Sequence, residues 1–154
     1  MLYFAYGSNL SHKQMKYRCS GSKYVKSFIL KGYKLIFSHQ NQKNTYGHAN
    51  IEKKTGFKVH GAIWSLTKKN EKNLDIYEVV PRYYQKEYFK LNGKKVLFYK
   101  QNKFVKRKPA SKYLHTIIEG YKDCSLDLNF LKRRISYYTL DYNIKWWYKL
   151  LCQK

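Results

Sequence analysis

The sequence predicts a mixed α+β fold, a small mixed sheet with helices packed outside it, and three observations carry that expectation. Asn92-Gly93 separates two strand-like runs, Tyr83–Leu91 and Lys94–Tyr99, and Asn-Gly is the strongest short signal for a tight hairpin. Tyr33, Leu35 and Phe37 alternate with Lys34, Ile36 and Ser38, and Val59, Gly61, Ile63 and Ser65 alternate with His60, Ala62 and Trp64. That is the two-residue period of a strand. Thr67 then precedes a segment with Glu71 in its first turn and Leu74 and Tyr77 three apart, the pattern of a capped helix. With 154 residues, no internal repeat and no linker-like stretch, the chain reads as a single domain over 1–154.

In order, Leu2–Tyr6 is an apolar, aromatic run with the composition of a buried strand, and it stops at Gly7-Ser8-Asn9. Such a junction is most often plain strand-to-loop geometry. It also leaves several N–H groups in one concavity, a nest suited to a carboxylate or a developing oxyanion. Ser11 is an N-cap candidate for a short helix over Ser11–Ser20, ended by Gly21-Ser22, whose N-terminus would reinforce an anion site. His39–Tyr46 is a polar loop, Ala49–Glu52 a short strand and Lys53-Lys54-Thr55-Gly56 a turn. Asp75 and Glu78 are expected on one face of the helix that Thr67 caps, with Pro81 closing it. Pro109–Gly120 begins as a loop and becomes a helix, and a further helix spans about Leu126–Tyr138.

The formal net charge is +23, yet only five of the 32 basic residues are arginines. Specific reading of phosphates and bases leans on arginine forks, so the excess of lysine predicts a nonspecific attraction to polyanions at low salt. Apolar residues make up 44% and aromatics 18%, which predicts a folded core in spite of a mean hydropathy of −0.72. No apolar run approaches a membrane span, and the first residues lack the basic leader of a secretory signal, so a soluble, cytoplasmic protein is expected. Cys19, Cys124 and Cys152 form no Cys-x-x-Cys pair, and the five histidines have no ligand spacing; no metal is predicted. Ser8 lacks the Gly-x-Ser-x-Gly elbow of a serine hydrolase.

Tyr6-Gly7-Ser8-Asn9-Leu10, so close to the first residue, resembles the signature loop of the γ-glutamylcyclotransferase-like (AIG2-like) family, and Leu74-Asp75-x-x-Glu78 resembles its second signature. Between them, Leu30-x-Gly32-Tyr33-x-Leu35-x-Phe37, Gly47-x-Ala49-x-Ile51 and Val59-x-Gly61-x-Ile63-Trp64-x-Leu66 are similar to its strands. Pro109-x-Ser111-x-Tyr113 with Gly120 and Leu126 resembles its C-terminal part. The likeness runs from Leu2 to about Leu131; from about 132 the chain is atypical of the family, with aromatic and basic residues around Trp146-Trp147. That pair is expected over the barrel mouth or at a homodimer surface, an interfacial membrane anchor being the alternative. Two departures stand out. Val79 follows the glutamate where the family usually has glycine, and Pro81-Arg82-Tyr83-Tyr84 replaces a glycine-rich stretch.

The resemblance implies a sheet curled toward a barrel, with the active cavity where Tyr6–Leu10 meets Glu78. It implies an enzyme that releases 5-oxoproline from a γ-glutamyl amine or peptide, with no cofactor. Tyr3, Phe4, Ala5, Tyr6, Gly7, Ser8, Asn9 and Leu10 would form the substrate loop and its approach, with Tyr84 in the pocket wall. Glu78 would be the general acid/base and Tyr113 a ligand contact. For that role the Glu78 pKa must rise, which rings such as Tyr6, Tyr77 and Tyr84 could bring about. Asp75 is expected to orient rather than to react. The competing expectation is a binder of another small anion, such as a nucleotide, in the same cavity. A nucleic-acid module ranks third, because no recognised binding motif is present.

Overall fold

The computed structural model describes residues 1–136; Trp146, Trp147 and Cys152, and with them every expectation about the C-terminal segment, lie outside the described residues. Among the described residues, seven strands and four helices follow one another as β1 (Leu2–Ala5), α1 (His12–Arg18), β2 (Lys23–His39), β3 (Tyr46–Ser65), α2 (Lys68–Tyr77), β4 (Gln85–Leu91), β5 (Lys94–Lys100), β6 (Val105–Lys106), β7 (Lys108–Pro109), α3 (Ser111–Asp123) and α4 (Leu128–Ser136). The sheet order is β4-β5-β1-β3-β2-β6, with β7 paired to β3. β1 is antiparallel to β3 and parallel to β5, so the sheet is mixed.

The sheet is curled into a half-barrel. Phe28 on β2 stacks on Phe89 on β4 with ring centroids 5.5 Å apart, although β5, β1 and β3 lie between those strands in the sheet. Only curvature brings the two ends face to face, and Phe4 meets both rings edge-on at 5.9 Å. The closing contacts are partly polar: Asn50 on β3 donates to the carbonyl of Gln101 at 3.2 Å and accepts from its amide at 3.0 Å. Ser38 on β2 donates to the Gln101 side chain at 3.0 Å. These groups are buried, and their mutual bonds offset the cost of removing them from water.

Local sequence explains most elements. Ser11 Oγ accepts from the Gln14 amide and starts α1. Thr67 and Asn70 form a reciprocal capping box on α2. Asn92 and Gly93 both have positive φ, 49° and 76°, as the two central residues of a tight hairpin turn require.

The middle of β3 differs from expectation. The segment Lys53–Gly56 makes no hairpin turn; β3 runs unbroken from Tyr46 to Ser65, and residues 54–57 stand opposite the single Gly32 of β2, between the pairs Lys31↔Lys58 and Tyr33↔Lys53. A bulge of this kind bends the strand while its partner continues alongside. At Gly120 a Cβ would lie 2.5 Å from Leu10 Cβ, so the missing side chain is what lets α3 lie directly on the loop that follows β1. Among the described residues, no helix is long and apolar enough to cross a membrane.

Candidate active site

β1 ends at Ala5, and the chain turns through Tyr6 and Gly7 into a single 3-10 turn, Ser8–Leu10. The loop opens into a cavity of about 240 Å³ lined by aromatic hydroxyls and one carboxylate, that of Glu78. This is below the roughly 300–1,000 Å³ of sites for drug-sized ligands, and suits a molecule of about dipeptide size.

Glu78 is the C-cap residue of α2. The helix stops there because Val79, at φ 54°, takes the left-handed position just past the end. The Val80 amide then donates to the Asp75 carbonyl at 2.9 Å and the Val79 amide to that of Ile76 at 3.1 Å, a Schellman closure. Pro81 therefore does not close the helix, which ends at Tyr77. The two acids expected on one helix face have different partners. Asp75 accepts from Tyr99 Oη at 2.8 Å and pairs with Lys86 Nζ at 2.6 Å. Glu78 instead turns to the loop, where its Oε1 accepts from Asn9 Nδ2 at 3.1 Å.

Burial pushes the Glu78 carboxyl up from 4.5 to about 7, against the lowering influence of Arg18 and the Asn9 hydrogen bond. The negative end of α2 acts in the same direction as burial. A carboxyl poised there can take or give a proton near neutral pH. Burial likewise raises Cys19 to about 11 and Cys124 to about 12, which keeps both thiols protonated.

The tyrosines divide by how their hydroxyls are used. Tyr6 Oη donates to the Tyr99 carbonyl and Tyr84 Oη to the Ala49 carbonyl. Tyr3 Oη accepts from Asn9 Nδ2 at 2.9 Å, and Tyr113 Oη accepts from the Ala49 amide at 3.0 Å. A hydroxyl that accepts still has its own proton to give. The absent Cβ of Gly7 would stand 3.2 Å from Tyr113 Oη and 2.9 Å from Ala49 Cβ, so glycine keeps the loop close to that hydroxyl.

Of the residues singled out in the sequence, Tyr3, Tyr6, Gly7, Ser8, Asn9, Glu78, Tyr84 and Tyr113 line the cavity. Phe4, Ala5 and Leu10 do not; all three are fully buried in the core. Side chains alternate across a strand, so next to Tyr3 the Phe4 ring turns away to Phe28 and Phe89. The Leu10 amide is also spent, on the Gly7 carbonyl at 3.0 Å, and so leaves the expected nest. His48, Tyr83 and Tyr99 line the cavity without having been singled out as site residues. The hairpin register could have drawn attention to Tyr99 at the end of β5, but no local signal marks His48, which approaches through the bent β3.

Three comparisons bear on this arrangement. A family model described as gamma-glutamyl cyclotransferase, AIG2-like, matches residues 3–119. Gamma-glutamylcyclotransferases of Bos taurus and Homo sapiens are 29% and 27% identical, each match covering 94% of this chain and 82% of the relative. A solved structure titled gamma-glutamyl cyclotransferase superposes with a TM-score of 0.77 at 25% identity, covering 92% of this chain and 90% of that one.

Proposed function

The chain belongs to the gamma-glutamyl cyclotransferase, AIG2-like family, and from that membership we propose that it releases 5-oxoproline from a γ-glutamyl amine or peptide. The observation that carries the reading is Glu78: one carboxyl, raised to about 7, bonded to Asn9 of the signature loop and lining a cavity of dipeptide size.

The chemistry asks only for proton transfer. The Glu78 carboxylate takes a proton from the substrate's α-ammonium, and the freed nitrogen attacks the γ-carbonyl carbon to close a five-membered ring. The carbonyl oxygen becomes an oxyanion, with the amides of Ser8 and Asn9 and the spare protons of Tyr3 and Tyr113 as its donors. Glu78 returns the proton to the leaving nitrogen, the oxyanion collapses and the C–N bond breaks, and the ring nitrogen gives its second proton through Glu78 to the departing amine, so 5-oxoproline and the amine's ammonium form leave. Neither a metal nor an organic cofactor enters this scheme, and its setting in the cell is the cytoplasm.

No lysine or arginine lines the cavity among the described residues, which speaks against the alternative of a nucleotide held by its phosphates. The +23 charge is assigned to weak, salt-sensitive contact with polyanions, and any homodimer is outside the catalytic scheme. The test is incubation with γ-glutamyl amino acids, peptides and amines, with 5-oxoproline followed by mass spectrometry. Turnover of at least one class is expected; no product from any of them would overturn the enzyme reading.

A further inference from the structure

Arg18 does not line the cavity, and the scheme above makes no use of it. It is nevertheless where the loop, α1 and α2 meet. From the last turn of α1 its guanidinium donates to Ser8 Oγ at 3.1 Å and to Asn9 Oδ1 at 2.5 Å. Its central carbon lies 3.6 Å from the ring centroid of Tyr77, the last residue of α2. Its carbonyl accepts from Asn73 Nδ2 at 3.3 Å, which ties α1 to the same helix.

A carboxamide has an acceptor end and a donor end. With the guanidinium on Oδ1, the Asn9 NH₂ group must face the other way, where it donates to Tyr3 Oη and to Glu78 Oε1. A flipped amide would set its oxygen against the Glu78 carboxylate and its NH₂ against a cation. We propose that Arg18 is the positioning residue for Glu78: it fixes the orientation of the Asn9 amide and thereby the hydrogen bond that the carboxylate receives. The inference rests on the acid/base role given to Glu78 above.

The surroundings make Arg18 the charge that matters. Tyr3 faces Glu78 from β1, Tyr6 from the loop that follows it, Tyr83 and Tyr84 from the turn after α2, Tyr99 from β5 and Tyr113 from α3. Burial raises all six above the ordinary tyrosine value, so they are neutral near pH 7. Cys19, next to Arg18, is held protonated by burial, and His48 at the cavity mouth is held below its ordinary value by burial and by His39. Asp75, beyond Tyr99, is already matched by Lys86, and Tyr77 is covered by the guanidinium itself.

The test is the ionisation midpoint of Glu78 in the ligand-free protein, read by carbon-13 NMR of carboxyl-labelled glutamate, with Glu78→Gln identifying the signal. Arg18→Met should move the midpoint up by about one pH unit or more. The rising limb of kcat/KM should move with it, and much of the lost rate should return at high pH. Arg18→Lys keeps the charge without the two-pronged fork, so its midpoint should move less while its plateau kcat falls about tenfold. A folded Arg18→Met protein with an unmoved midpoint overturns the proposal. Should that variant fail to fold, a folded Arg18→Lys protein with unchanged midpoint and unchanged plateau overturns it. If wild type turns over no γ-glutamyl compound while the midpoint still moves, the enzyme reading fails and the hold of Arg18 on Glu78 stands.

Discussion

On the outer side of α2, Asp75 and Glu71 share Lys86, with contacts of 2.6 and 2.7 Å, and every one of these side chains is about a quarter exposed. One turn later, the Glu78 carboxylate accepts from the Asn9 amide, and the cation whose charge acts on it, Arg18, is occupied with the loop. The two acids are three residues apart and both are partly buried, yet one is matched by charge while the other lines the cavity without a paired cation. What separates them is what each side chain reaches: Asp75 meets Lys86 on β4 and Tyr99 on β5, while Glu78 meets Asn9 of the loop after β1. Pairing with a cation steadies a carboxylate as an anion, whereas desolvation in the cavity wall makes the neutral acid accessible at physiological pH.

The largest effect that could break this contrast is expected from Glu78→Gln. Gln keeps the size and an oxygen for Asn9 but cannot carry the proton, so kcat in the 5-oxoproline assay should fall by about 10²–10⁴. Stability should move the other way. The folded chain holds the Glu78 proton up to about 7 and the unfolded chain only to 4.5, so this contribution to stability is fully present below 4.5 and lost as pH rises through 7. At pH 8 the Gln variant should therefore gain on the order of 3 kcal/mol in urea unfolding, shrinking toward zero near pH 4.5. A fully active or unfolded variant would remove Glu78 from the acid/base role.

Next in size is the pH profile of wild type. With a base that ionises at about 7, kcat/KM should drop about tenfold for each unit below pH 6 and level off above 8. A profile flat from pH 5 to 8 would show that Glu78 is not the group being deprotonated.

Asp75→Asn should be milder. Tyr99 can still donate to the new side chain, and Lys86 keeps Glu71, so kcat should change by less than about tenfold and stability by about 0.5–1 kcal/mol. A loss as large as that at Glu78 would erase the distinction between the two acids.

Smallest is Val79→Gly. A β-branched residue at φ 54° is strained, and glycine takes that conformation without cost, so thermal or urea unfolding should show a gain of about 1 kcal/mol with kcat unchanged. A destabilised variant would mean that the Val79 side chain contributes packing that outweighs the strain.

Legibility in the sequence followed the range of the interactions involved. Asn92-Gly93 and the Thr67 cap are decided within a few residues, and both elements form where the sequence predicts them. Lys53-Lys54-Thr55-Gly56 has the local look of a turn, but its pairing with β2 decides the outcome and yields a bulge. The family resemblance drew Tyr6–Asn9 and Glu78 together across most of seventy residues of chain. It also brought in Phe4, Ala5 and Leu10, because a contiguous motif does not reveal which side chains alternate inward. Arg18 could not be read at all, since its meaning depends on which way the Asn9 amide points.

The placement of β1 has a consequence for how the protein is born. These four residues are synthesised before the rest of the sheet, yet their neighbours in it are residues 62–65 of β3 and residues 96–97 of β5. At about 5–20 residues per second, the nascent segment waits roughly 5–20 s for β5 to be synthesised. Through that interval Tyr3, Phe4 and Tyr6 have no native strand on the β5 side, and the cavity beyond them has no floor. β1 thus completes its pairing only once β5 has been made, later than the β2–β3 pairing, which needs no residue beyond 65.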